Sequence, residues 1–150
     1  MVAKQKKRAA KKSGKAKTPR LFRMIVPVSD IERAAQFYGE LLGAPGMRVS
    51  PGRHYFDCGG VILACFNPRA DGDNWDARPL PDHIYFATGE LAAVFVRAQK
   101  LGALSAEEVH GAAAGAMVKR PWGERSFYAQ DPFGTKLCFV DEKTLFTGRR

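Results

Sequence analysis

Residues 21–43 read LFRMIVPVSDIERAAQFYGELLG and residues 83–102 read HIYFATGELAAVFVRAQKLG. The first stretch opens with an apolar, partly β-branched run from Leu21 to Val28, the pattern of an extended strand. It stops at Ser29-Asp30. Asp30 can accept a free amide of the next turn as an N-cap, and Ile31, Ala34, Ala35, Tyr38, Leu41 and Leu42 return at helical spacing until Gly43 closes the helix. The second stretch repeats the plan. Residues 83 to 88 form a strand pattern, Gly89-Glu90 takes the cap position, and Leu91, Val94, Phe95, Ala98 and Leu101 share one helix face before Gly102. Those five positions are 31, 34, 35, 38 and 41 displaced by sixty, so the chain carries an internal duplication of a strand feeding an amphipathic helix.

Working outward, residues 47 to 50, 53 to 58 and 61 to 66 read as three short strands broken by Pro51-Gly52 and Gly59-Gly60. The second half gives extended segments near 103 to 110 and 116 to 121, then 124 to 130 and 135 to 140. Its turns fall at Pro121-Trp122-Gly123 and Asp131-Pro132-Phe133-Gly134. Aligning Gly60 with Gly134 lays Val61-Ile62-Leu63-Ala64-Cys65 over Thr135-Lys136-Leu137-Cys138-Phe139. The predicted fold class is α+β, two βαβββ modules at about 21–67 and 82–142, joined by a polar, proline-rich linker at 68–81 and followed by an extension at 143–150. Residues 111 to 116, Gly-Ala-Ala-Ala-Gly-Ala, have no counterpart in the first module and are expected to form a flexible loop beside the pocket.

Composition bounds the function. A 150-residue chain, 45% hydrophobic, suits one domain with a real core. No run of about eighteen apolar residues is present, and the basic N-terminus has no apolar stretch behind it to serve as a signal peptide, so the expected location is the cytoplasm. Cys58, Cys65 and Cys138 are odd in number and apolar in setting, which suits reduced thiols. The net charge of +9 resides entirely in residues 1–20, which hold nine Lys and Arg and no acid. The remainder is balanced, fifteen basic against fifteen acidic. Residues 1–20 therefore read as a disordered, solubilising tail; contact with nucleic acid, the alternative reading of such a charge run, would be made through that tail alone.

The order of short motifs resembles the glyoxalase, bleomycin-resistance and extradiol-dioxygenase superfamily, the vicinal-oxygen-chelate proteins. The resemblance is carried by Val28-Ser29-Asp30-Ile31-Glu32-Arg33, Phe37-Tyr38 and Leu42-Gly43, then Asp82-His83-Ile84, Arg120-Pro121-Trp122-Gly123-Glu124-Arg125 and Asp131-Pro132-Phe133-Gly134. It implies that each sheet packs one face on its helix and turns the other toward a small-molecule pocket. Strand alternation permits this: Met24, Val26, Val28, Val61, Leu63, Cys65, Ile84, Phe86, Leu137 and Phe139 form an apolar set. The opposite set, Arg23, Ile25, Ala64, His83, Tyr85, Lys136 and Cys138, is mixed, as a ligand cavity requires. The resemblance further implies a homodimer, with modules paired within one chain or across a swapped pair.

Metal-dependent members of that superfamily place ligands on the first and last strands of each module. The corresponding positions here are Arg23, Ala64, His83 and Cys138. Arginine stays protonated and alanine has no donor atom, so no metal or other cofactor is expected; any ion would depend on His83 and Cys138 alone. Arg23 suggests another use of the hollow, gripping a ligand carboxylate or phosphate or pairing with Glu124, with His83 and Tyr85 as further partners. Trp122, Phe127 and Tyr128 are the expected aromatic walls. His54 and His110 read as surface residues. Gly-x-Ser-x-Gly and phosphate-cradling loops are absent, and a Cys138–His83 nucleophile pair lacks a visible activator. The expectation is a metal-independent small-molecule-binding protein of the bleomycin-resistance kind, the alternative being a glyoxalase-type lyase or dioxygenase with an atypical site.

Overall fold

The computed structural model describes residues 17–148; most of the basic tail lies outside the described residues. Strand β1 (Arg23–Pro27) leads into helix α1 (Ile31–Leu42), followed by β2 (Met47–Ser50), β3 (Arg53–Cys58) and β4 (Val61–Phe66). The second module has β5 (Ile84–Thr88), helix α2 (Leu91–Lys100), β6 (Glu108–Val109), β7 (Ala112–Ala113), β8 (Val118–Lys119), β9 (Arg125–Gln130) and β10 (Lys136–Asp141). The two main sheets run β1-β4-β3-β2 and β5-β10-β9-β8, each with its first strand parallel to its last. The duplication seen in the spacing is thus a duplication of topology.

Local chemistry sets the boundaries. The Asp30 carboxylate accepts from the Arg33 amide at 3.0 Å and starts α1, and Gly43, at φ 74°, ends it in the left-handed region that disfavours a β-carbon. Glu90 does not cap α2 with its side chain; Thr88 Oγ1 instead accepts the Glu90 amide at 3.0 Å. The linker is tied down by Asp71, which accepts the Gly52 amide, by Trp75 edge-on to Phe66, and by the Leu80 amide donating to Thr135 Oγ1.

The helix sides of both sheets share one core. Val26, Tyr38, Leu41, Phe56 and Leu63 from module one join Val94, Ala98, Phe127, Leu137 and Phe139 from module two. Two polar bonds lock the modules together: Tyr38 Oη donates to Asp131 Oδ2 at 2.6 Å, and Arg97 Nε donates to the Leu41 carbonyl at 3.0 Å. Burial drives the Asp131 carboxyl above the ordinary carboxylate range, against the pull of Tyr38 and of three backbone amides.

Three expectations are corrected here. Phe127 is no pocket wall: it is fully buried on the helix side, stacked on Phe139 at 5.3 Å and edge-on to Phe95 at 5.2 Å. His54 is no surface residue: it is 8% exposed, with Nε2 2.9 Å from the Pro45 carbonyl and Nδ1 accepting from Arg48 Nε. Residues 111 to 116 are not a loose loop. They carry β7, whose pairing with β6 makes a small ribbon, and the Ala114 carbonyl accepts the Tyr128 amide of β9 at 2.8 Å.

Candidate functional site

Sheet register builds a polar cluster on the helix-free face of module two. Cys138 of β10 lies between Tyr85 of β5 and Tyr128 of β9 in the pairing, which places all three side chains on one face. His83, just before β5, sets its ring edge-on to Tyr128 at 5.3 Å and at a tilt to Tyr85 at 6.2 Å. Its Nδ1 stands 3.5 Å from Asp82 Oδ1. Tyr85 is 60% exposed, whereas Tyr128 and Cys138 are buried beneath it. Glu107, bonded to Lys136 Nζ at 2.8 Å, approaches the same edge; that bond, and to a smaller extent His83, hold its carboxyl below the usual range.

Under this cluster sits Arg120, almost fully buried. Its Nε donates to Ser126 Oγ at 3.1 Å, and its Nη2 reaches the carbonyls of Ala114 and Ala116, each at 3.1 Å. The guanidinium also stands 5.1 Å from the Tyr128 ring centre. Nη1 is buried without a hydrogen-bond partner. Burial raises the Cys138 thiol to about 11, although Ser126, Tyr128 and the Arg120 charge pull it down. Burial first, then Cys138 and Tyr85, raise the Tyr128 phenol as well. At neutral pH the cluster is a protonated thiol and a neutral Tyr128 phenol over the buried Arg120 guanidinium. It can donate hydrogen bonds and stack on a ring; it has no thiolate nucleophile.

Trp122 and Glu124 flank the cluster. Trp122 Nε1 donates to Glu124 Oε1 at 2.8 Å, and Glu124 Oε2 accepts the Phe146 amide at 2.9 Å. Both residues line a hollow of about 420 Å³ that also touches Tyr85 and Val140. Glu124 is therefore engaged locally and does not pair with Arg23.

On module one, β1–β4 pairing sets Arg23 beside Ile62 and Ile25 beside Ala64. Arg23 is exposed and rests over Phe22 and Tyr55, 4.9 and 5.6 Å from their ring centres. Ile25 is 39% exposed and Ala64 is buried. Among the described residues, no hydrogen bond, ion pair or ring contact joins Arg23, Ile25 or Ala64 to His83, Tyr85 or Cys138. The sites read from sequence thus fall into two groups, one on each helix-free face. The four superfamily ligand positions do not suit a metal: a cation and a methyl group stand at two of them, which leaves one imidazole and one buried thiol. No group of three His, Cys, Asp or Glu side chains among the described residues is placed to hold an ion.

The model of the Glyoxalase/Bleomycin resistance protein/Dioxygenase superfamily matches residues 20–139. The chain belongs to this superfamily. Solved structures of the same fold include a glyoxalase/bleomycin resistance protein from Albidiferax ferrireducens T118, 22% identical, TM-score 0.64, covering 81% of this chain and 97% of that one. A lactoylglutathione lyase from Agrobacterium tumefaciens is 22% identical, TM-score 0.61, with 85% and 97% covered. The oxidase ChaP-H2 is 23% identical, TM-score 0.64, with 83% and 94% covered. No curated protein matches in sequence. At such identities the likeness is one of fold, and the three proteins are named for different chemistries, so the function of this superfamily member rests on its own residues.

Arg120 and Ser126 carry much of the cluster and are not among the site residues expected from the sequence, whereas Tyr128, expected as an aromatic wall, forms part of its buried floor. Alternation along β9 could have placed two of the three: Ser126 and Tyr128 share a phase that Phe127 does not. Arg120 lay in a motif but gave no sign of its burial.

Proposed function

We propose that this superfamily member binds a small organic molecule without a metal. The ligand rests on the Tyr85 face of module two, stacked among Tyr85, His83 and Trp122. The observation that carries this reading is the pairing of an exposed aromatic, Tyr85, with a buried polar floor of Tyr128, Cys138 and Arg120, while Arg23 and Ala64 stand where two metal ligands would be needed. Ile25 and Tyr85 are exposed apolar side chains on the two helix-free faces, which suits a homodimer in which the face of one copy closes over that of the other. Arg23 then supplies a guanidinium for an anionic group on the ligand.

The test is a titration of full-length protein with metal-free bleomycin, read by Trp122 fluorescence in a Trp75→Phe background. Saturable quenching that persists in chelator and weakens at least about tenfold in Tyr85→Ala supports the reading. Binding that requires added zinc or nickel would move the protein to the metal-dependent glyoxalase or dioxygenase alternative.

A further inference from the structure

A cleft of about 610 Å³ opens between the modules on the helix side, a size within the ordinary range of small-molecule sites. Its walls are Met24, Val61, Leu63, Phe86, Val94 and Phe139, and Cys58 lies among them. These belong to the helix-facing rows of both sheets and to α2, and although Tyr85 of β5 also reaches the lining, the cleft is distinct in position from the polar floor of Tyr128, Cys138 and Arg120.

Arg97, on α2, is the cation on this lining. Its Nε is spent on the Leu41 carbonyl at the end of α1, and among the described residues it takes part in no ion pair. That bond fixes the guanidinium plane while leaving the two Nη nitrogens beside Gly43, where a β-carbon would stand 3.4 Å from Nη2. The second charged group, Asp57, is occupied at the β3–β4 turn, where its Oδ1 accepts the Gly60 amide at 2.8 Å. An apolar hollow with one oriented, unpaired guanidinium matches a molecule with an apolar body and one anionic head.

We infer that this cleft is a second ligand site, taking an aliphatic carboxylate whose chain lies along Met24, Leu63 and Phe86 and whose head meets the Nη groups of Arg97. The inference does not rest on the Tyr85 face and can stand or fall without it.

The experiment is a titration of the full chain with decanoate, followed by carbon-13 methyl spectra. Saturable shifts should appear at Met24, Leu42, Leu63 and Val94 and not at Ile25 or Val140. Decanol, which lacks the charge, should bind about tenfold more weakly or worse. Arg97→Gln should abolish the preference for decanoate over decanol while retaining decanol, and that retained binding shows the cleft still formed. Saturating decanoate should also slow maleimide modification of Cys58 in the unmutated protein. Shifts at Ile25 or Val140, equal affinity for the two probes, or no saturable shift would each overturn the assignment. So would movement of the cleft methyls on simple dilution without ligand, which would show a second copy of the chain to be the occupant.

Discussion

Cys58, Cys65 and Cys138 are chemically alike in the sequence and separate in the fold. Burial raises Cys65 to about 12 and Cys138 to about 11, whereas Cys58 is half-buried and more modestly raised by burial and Asp57. Because the thiolate is the reacting form, native protein at pH 8 should be alkylated first at Cys58, with Cys65 and Cys138 modified only on unfolding; peptide mass mapping checks the order. Asp131 gives a second prediction. Its folded pKa is raised, so between its ordinary and its folded value the native state binds the extra proton, and its contribution to stability is lost as pH rises through that window. Asp131→Asn should therefore flatten the fall in thermal midpoint as pH rises above the ordinary carboxylate value. Tyr38→Phe, which leaves the buried carboxylate short of a donor, should cost about 1–3 kcal/mol in denaturant titration. None of this was visible along the chain: the Asp-Pro-Phe-Gly turn announced a turn, and only the packing of α1 on the second module turns Asp131 into a buried acid.

At the scale of elements, the two helices and most of the strands are legible because their causes are local. Asp30 and Gly43 bracket α1, and the alternation of β4 and β10 sorts their residues onto the two faces as expected. What misled was phase where the chain looks uniformly apolar. Phe127 and Tyr128 are both aromatic, and only pairing with β10, Tyr128 opposite Cys138, shows which one faces away from the helix. His54 shares the face of Phe56, opposite Cys65, a register invisible from its polar neighbours. Residues 111 to 116 looked loose because they are small; Arg120 holds two of their carbonyls. Arg120→Lys keeps the charge but loses the second nitrogen, Nε, that holds Ser126 Oγ while Nη2 reaches the two carbonyls, so backbone hydrogen exchange around Ala114 to Ala116 should quicken at least about tenfold while the two helices stay protected.

For the whole molecule, the sixty-residue repeat gave the architecture but not how the two faces are used. Helix-side packing merges the modules into one core, and the residues read as a single pocket are divided between two sheet faces. A homodimer is the arrangement that would reunite them, and sedimentation should show a dimer that Ile25→Asp shifts toward monomer with the fold retained. The claim on which the rest turns is that this member of a chelating superfamily works without an ion. Metal content of freshly purified protein, measured beside His83→Ala, tests it most directly. Substoichiometric metal is expected in both; one zinc, iron, manganese or nickel per chain, lost in His83→Ala, would contradict metal-free function.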